Sequence, residues 1–209
     1  MDIAILLFDG ITPLDAIGPF EVLGKLPGAT VKTVGKSKGE VRTKGQSLAM
    51  IADYALTDVE KPDIVVIPGG PGADALAEDT GVTGWVARAH ETTAWTTSVC
   101  TGALILGGAG VLKGLKATTH WRAMKDLQSF GAIATDQRVV REGKVVTAAG
   151  VSSGIDMALM LAAEIAGDEV AKAIQLGIEY APEPPFDAGH IRDAPQDRIE
   201  MVRSGLSRP

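Results

Sequence analysis

Cysteine is all but absent: Cys100 is the single one in 209 residues. That rules out an internal disulfide and a CxxC metal site, and a lone thiol suits a reducing cytoplasm, the expected location. Cationic excess is absent too. The net charge is −6, with no basic tail or stripe, which argues against nucleic acid or an anionic membrane as partner. No apolar run reaches the roughly 18 residues of a membrane helix. The opening Met1-Asp2-Ile3 has no basic segment before its short apolar run, unlike a secretory signal. Neither an internal repeat nor a low-complexity stretch is visible. The expected organisation is one α/β domain over residues 1–186, with a tail over 187–209 that carries a short helix near 199–202.

What is present reads as an ordinary globular chain, 45% hydrophobic and 22% charged, with 25 glycines. Apolar runs at 3–8 and 62–67 read as strands buried on both faces. A third strand is expected at 31–34, an exposed hairpin at 41–50, and a strand–turn–strand at 139–147. Helices are expected through Val22–Leu23, with Pro19 in the first turn, and over 79–90, 123–129, 154–166 and 168–176. Strands alternating with helices imply a mostly parallel sheet with right-handed crossovers and ligands beyond the strands' carboxyl ends.

The chain is organised around residues 94–106. Thr96, Thr97 and Val99 suit a strand, while Gly102-Ala103 allows a helix to pack closely behind it. Cys100 between them has the setting of a nucleophile elbow with sulfur in place of oxygen. A helix start favours the thiolate, which predicts a lowered pKa and ready alkylation at neutral pH. The alternative is a small buried hydrophobe, the usual state of a free cysteine.

Two other strand ends carry unusual residues. After the first strand, Asp15 is either the cap of the next helix or an acid sheltered by Leu14, Ile17 and Phe20, with Glu21 the competing acid. After the 62–67 strand, Gly69 and Gly70 either offer N–H groups to a developing anion or simply turn the chain. Of the three histidines, His90 and His190 read as surface residues. His120, at a strand end after Thr118-Thr119, reads equally as a site residue or a structural one.

Pro68-Gly69-Gly70, Ser98 to Gly102, Ala117 to Trp121 and Val145 to Thr147 together resemble the DJ-1/PfpI superfamily over about residues 3–186. Within it, Leu14-Asp15 with Gly18-Pro19, Thr118 to Trp121, and Glu179 to Pro182 with Pro184 to Phe186 are most similar to isonitrile hydratases. The resemblance implies a flavodoxin-like three-layer sandwich, a homodimer, no metal or other cofactor, and hydration of a small-molecule isonitrile to an N-substituted formamide. It places the nucleophile on Cys100, the acid on Asp15 and an assisting hydroxyl on Thr101. Gly69, Gly70, Ile17 and His120 then fall around the substrate, with Ile17 and Phe20 suiting a hydrophobic substituent. PfpI-type proteases have a histidine directly after the cysteine, where this chain has Thr101. Glutamine amidotransferases need a His-x-Glu that none of the three histidines makes. Two other readings remain open on the residues: a redox sensor acting through Cys100, and a ligand-binding domain related to regulators but without their DNA-binding module.

Overall fold

Strand β1 (Asp2–Leu6) is buried from Ile3 onward, as its unbroken apolar run demands, and lies near the middle of the sheet. The structure, a computed structural model, describes residues 1–43, 45 and 47–205. It divides the chain into two compact units, Met1–Ile178 and the segment from Glu179 onward.

In the first unit β1 is followed by α1 (Pro13–Leu23), β2 (Thr30–Gly35), β3 (Gly39–Arg42), β4 (Ala49–Ala52), β5 (Tyr54–Ala55), β6 (Ile64–Ile67), α2 (Ala73–Glu78), α3 (Thr80–Thr92) and β7 (Trp95–Val99). Then come α4 (Gly102–Gly108), β8 (Lys116–Ala117), α5 (Met124–Ser129), β9 (Ile133–Ala134), β10 (Val139–Glu142), β11 (Val145–Ala148), α6 (Ser153–Ala166) and α7 (Asp168–Gly177). A seven-stranded sheet runs β10-β11-β7-β6-β1-β2-β5, and every pairing in it is parallel except β10 with β11. From β1 the chain steps one way to β2, and from β6 it steps the other way to β7. Right-handed crossovers therefore put α1 on one face and α2, α3 and α4 on the other. After β11, α6 returns to pack on α1. The result is the expected three-layer α/β sandwich, and the strand order reverses between β1 and β6. The hairpin expected at 41–50 is the antiparallel pair β3–β4, with Lys44 and Gln46 outside the described residues.

Two local readings need correction. Pro19 lies inside α1, not in its first turn, because the helix already starts at Pro13. Its missing N–H leaves the Asp15 carbonyl without a helical partner. The ring is accommodated because α6 presents only Gly154 there, where a Cβ would sit 3.4 Å from Pro19 Cδ. A short helix, α2, also follows directly on the glycine loop after β6, ahead of the helix expected from residue 79.

The second unit contains a 3-10 turn, Ile191–Asp193, and α8 (Gln196–Arg203), neither with a buried residue. Residues 206–209 of the expected tail lie outside the described residues. No described helix is long and apolar enough to cross a membrane.

Candidate active site

Cys100 follows the last residue of β7 and precedes Thr101, the N-cap of α4. Its φ is +57°, a left-handed conformation that a side chain adopts at a cost. Hydrogen bonds hold it there. Its N–H donates to the carbonyls of Ala148 and Ala149 at 3.0 and 2.8 Å, and its carbonyl accepts the Thr119 hydroxyl at 2.8 Å. The bend brings α4 tight against the end of β6, because a Cβ on Gly102 would overlap the Ile67 carbonyl oxygen. This is the elbow geometry expected of the segment.

Asp15 is in the first turn of α1, whose N-cap is Thr12, so the carboxyl is not a cap. It is fully buried. Oδ2 accepts the Gly69 N–H at 3.0 Å. Oδ1 has no conventional hydrogen-bond partner, and the titratable group that acts on the carboxyl is the Cys100 thiol. Glu21, the competing acid, is exposed and paired with Lys25 at 3.5 Å. Leu14, Ile17 and Phe20 do not shelter Asp15 as expected. They stand on the outer stripe of α1 at 40%, 38% and 43% exposure. Shelter comes from the opposite stripe, which packs on α6: Gly18 lies against Ile155 and Pro19 against Gly154.

Burial pushes Asp15 up from 3.8 to about 7, against the opposing pull of the Gly69 N–H and the thiol. Cys100 is pushed up to about 12, first by burial and then by the Asp15 charge, while the N–H groups of Thr101 and Val151 pull it down. The expected lowering of the thiol pKa is therefore reversed. The helix start does supply donors, but burial and a neighbouring carboxylate outweigh them. Above about 7 the pair therefore holds one proton, on the thiol, with the carboxylate charged beside it.

Gly69 and Gly70 do not present free N–H groups. The first donates to Asp15, and the second donates to Thr101 Oγ1 at 2.9 Å. Cys100 opens into a cavity of about 560 Å³ lined by Thr12, Asp74, His120, Arg122 and Asp126 beside Gly70, Thr101 and Val151. His120 Nδ1 accepts the Arg122 N–H at 3.3 Å, so the neutral ring carries its proton on Nε2. Burial and the adjacent guanidinium hold His120 below the usual imidazole range. Ile17 is not in this cavity. With Phe20, Met50 and Ile51 it lines a separate apolar one of about 320 Å³, so Ile17 and Phe20 do not line the cavity at Cys100 as expected. His90 is half-buried, bonded to Thr96 at 2.8 Å, not a free surface residue. His190 is exposed, as expected. The Val151 N–H has no signature in a sequence, since it is a backbone group. Asp74 stands in α2, Asp126 in α5 and Arg122 in the turn just before α5, elements whose place over the elbow only the fold gives. Among the described residues no group of three His, Cys, Asp or Glu side chains could hold a metal ion.

The DJ-1/PfpI family model matches residues 1–164. Isonitrile hydratase from Pseudomonas putida is 39% identical over 203 residues, 97% of this chain and 89% of that one. Protein dj-1beta from Drosophila melanogaster is 26% identical over 180 residues, 85% of this chain and 96% of that one. Among solved structures, a ThiJ/PfpI family protein from Pseudomonas syringae superposes with a TM-score of 0.91 at 37% identity, covering 98% of this chain and 84% of that one.

Proposed function

The chain belongs to the DJ-1/PfpI family, and on that premise we propose that it is an isonitrile hydratase, using Cys100 as nucleophile and Asp15 to carry a proton. The observation that carries this reading is a fully buried carboxyl, raised to about 7, acting on the elbow thiol. A carboxyl so placed can take the thiol proton and give it back near neutral pH.

Asp15 removes the proton from Cys100 as the sulfur attacks the terminal carbon of the isonitrile. The N–H groups of Thr101 and Val151 receive the sulfur charge. Asp15 returns the proton to that same carbon, giving a thioimidate, R–N=CH–S–Cys100. Water adds to the thioimidate carbon, one of its protons going to nitrogen. The carbon–sulfur bond then breaks, the other proton goes to sulfur, and R–NH–CHO leaves. Isonitrile plus water equals formamide, with the enzyme regenerated. No step draws on the N–H groups of Gly69 and Gly70, which hold Asp15 and Thr101. The redox-sensor alternative is less well supported, because a buried thiol held at about 12 is a poor target for oxidants.

The productive pair carries one proton, so turnover rises with pH through about 7, where Asp15 loses its proton, and then stays level. The test is to incubate the protein with cyclohexyl isonitrile and follow formamide by mass spectrometry across pH. Catalytic formamide with that profile is the expected result, and no product above the protein-free control overturns the reading.

A homodimer would cover the outer stripe of α1. Ile17 and Phe20 adjoin Met50 and Ile51, leaving an apolar face. Phe20→Glu is expected to convert a dimer into a monomer in sedimentation velocity, at unchanged thermal stability of the protomer, because a charge is introduced on an already exposed position.

A further inference from the structure

Thr101 sits where an assisting hydroxyl is expected, but its oxygen is already engaged. Oγ1 accepts the Gly70 N–H at 2.9 Å and lies 3.2 Å from the Gly70 carbonyl, to which it donates. One residue back, Gly69 gives its N–H to Asp15 at 3.0 Å and takes the Thr12 N–H on its carbonyl at 2.9 Å. The two segments are in close contact: a Cβ on Gly69 would lie 2.6 Å from Thr101 Oγ1. Gly70 has a φ of +142°, a conformation open to glycine that carries little stiffness of its own. What fixes this peptide is what it is bonded to.

We propose that Thr101 is a positioning residue: its hydroxyl clamps Gly70, and the clamped loop holds the Gly69 N–H on the Asp15 carboxyl. The kinetic form of this inference rests on the hydratase reading, but its structural form does not.

An N–H donated to a carboxylate favours the charged form. Burial of Asp15 works the other way. The remaining group is the Cys100 thiol on the elbow. From α6, packed against the same stripe of α1, the neighbours are uncharged Gly154 and Ile155, while Asp156 is taken up by Arg138. Nothing else among these stands ready to replace a lost N–H. Loosening the clamp therefore makes Asp15 a weaker acid.

The test is Thr101→Val, which keeps the branched shape and removes both donor and acceptor. The acidic limb of the kcat/KM profile is expected to move up by about one pH unit, so that activity falls about tenfold more at pH 6 than at pH 9. Thr101→Ser, which restores the hydroxyl, should restore the limb. A carboxyl-carbon NMR titration of Asp15 should move by the same amount. It needs no turnover, so it decides the clamp even if the protein hydrates no isonitrile. An equal loss of kcat at every pH, with the Asp15 titration unmoved, overturns the proposal and puts the hydroxyl on the reacting atoms. If Thr101→Val does not fold, Thr101→Ala, which leaves space instead of an apolar methyl, is read by the same two measurements.

Discussion

Asp15→Asn lowers formamide production by about a hundredfold or more, the usual scale of acid–base catalysis by a placed side chain, and makes the protein more stable above pH 7. The two effects have one origin. The amide can still accept the Gly69 N–H that Asp15 accepts at 3.0 Å, so the loop keeps its partner. It has no proton to exchange with Cys100. Stability changes because the folded protein holds Asp15 at about 7 against an ordinary 3.8. Between those two values the folded state binds a proton that the unfolded chain has released, so stability declines as pH rises from about 4 to about 7. At about 1.4 kcal/mol per unit the decline amounts to at most about 4 kcal/mol, complete once pH exceeds the folded value. Asp15→Asn lacks this slope. Chemical denaturation of both proteins at pH 5 and pH 8 measures it, and a wild type that gains stability over that interval at Asp15 would contradict the burial account.

Gly102→Ala is the second large effect, and it acts through shape. A Cβ at this position would overlap the Ile67 carbonyl oxygen and lie 2.7 Å from the Pro68 carbonyl oxygen. Both are backbone atoms at the end of β6 and cannot rotate aside. The start of α4 must move, and Thr101 and Cys100 move with it. A loss of about 3 kcal/mol is expected, at the upper end for overpacking, together with loss of turnover. Gly177→Ala is the comparison: at the exposed end of α7 the new methyl meets nothing within 4 Å, and the urea midpoint should hold or rise slightly. Equal midpoints for the two variants would show that α4 is not wedged against β6.

The buried apolar runs and the small residues after Cys100 made the sheet and its elbow legible in the sequence, because each is a local pattern with one structural solution. The positions of Asp15, Gly69 and Thr101 at adjacent strand ends follow from the same alternation. The sides of α1 were harder. Residues 14, 17 and 20 form one stripe and residues 15, 18, 19 and 22 the other, and both carry apolar residues. Only the start at Pro13 fixes the phase, and the inward stripe turns out to hold the carboxyl, a glycine and a proline. Backbone donors were invisible for a different reason. Every residue but proline has an N–H, so nothing marks Val151 as facing the sulfur or Gly69 as already taken. The direction of the thiol shift was equally hidden, since it is set by burial depth and the nearness of the Asp15 carboxylate, which are tertiary quantities.

The parallel arrangement of β1, β6 and β7 also bears on how the protein comes into being. Asp15 and Gly69 are separated by 54 positions, and Gly70 and Thr101 by 31. Parallel neighbours cannot be joined by a tight turn, so each pairing waits on closure of a long loop, and such contacts form slowly. Until β1 and β7 both flank β6, Cys100 is an ordinary thiol in water with no carboxyl beside it. A nascent or partly unfolded chain is thus exposed to adventitious alkylation and oxidation at the residue on which the finished protein depends. The same sheet closure that assembles the proton carrier also ends that vulnerability.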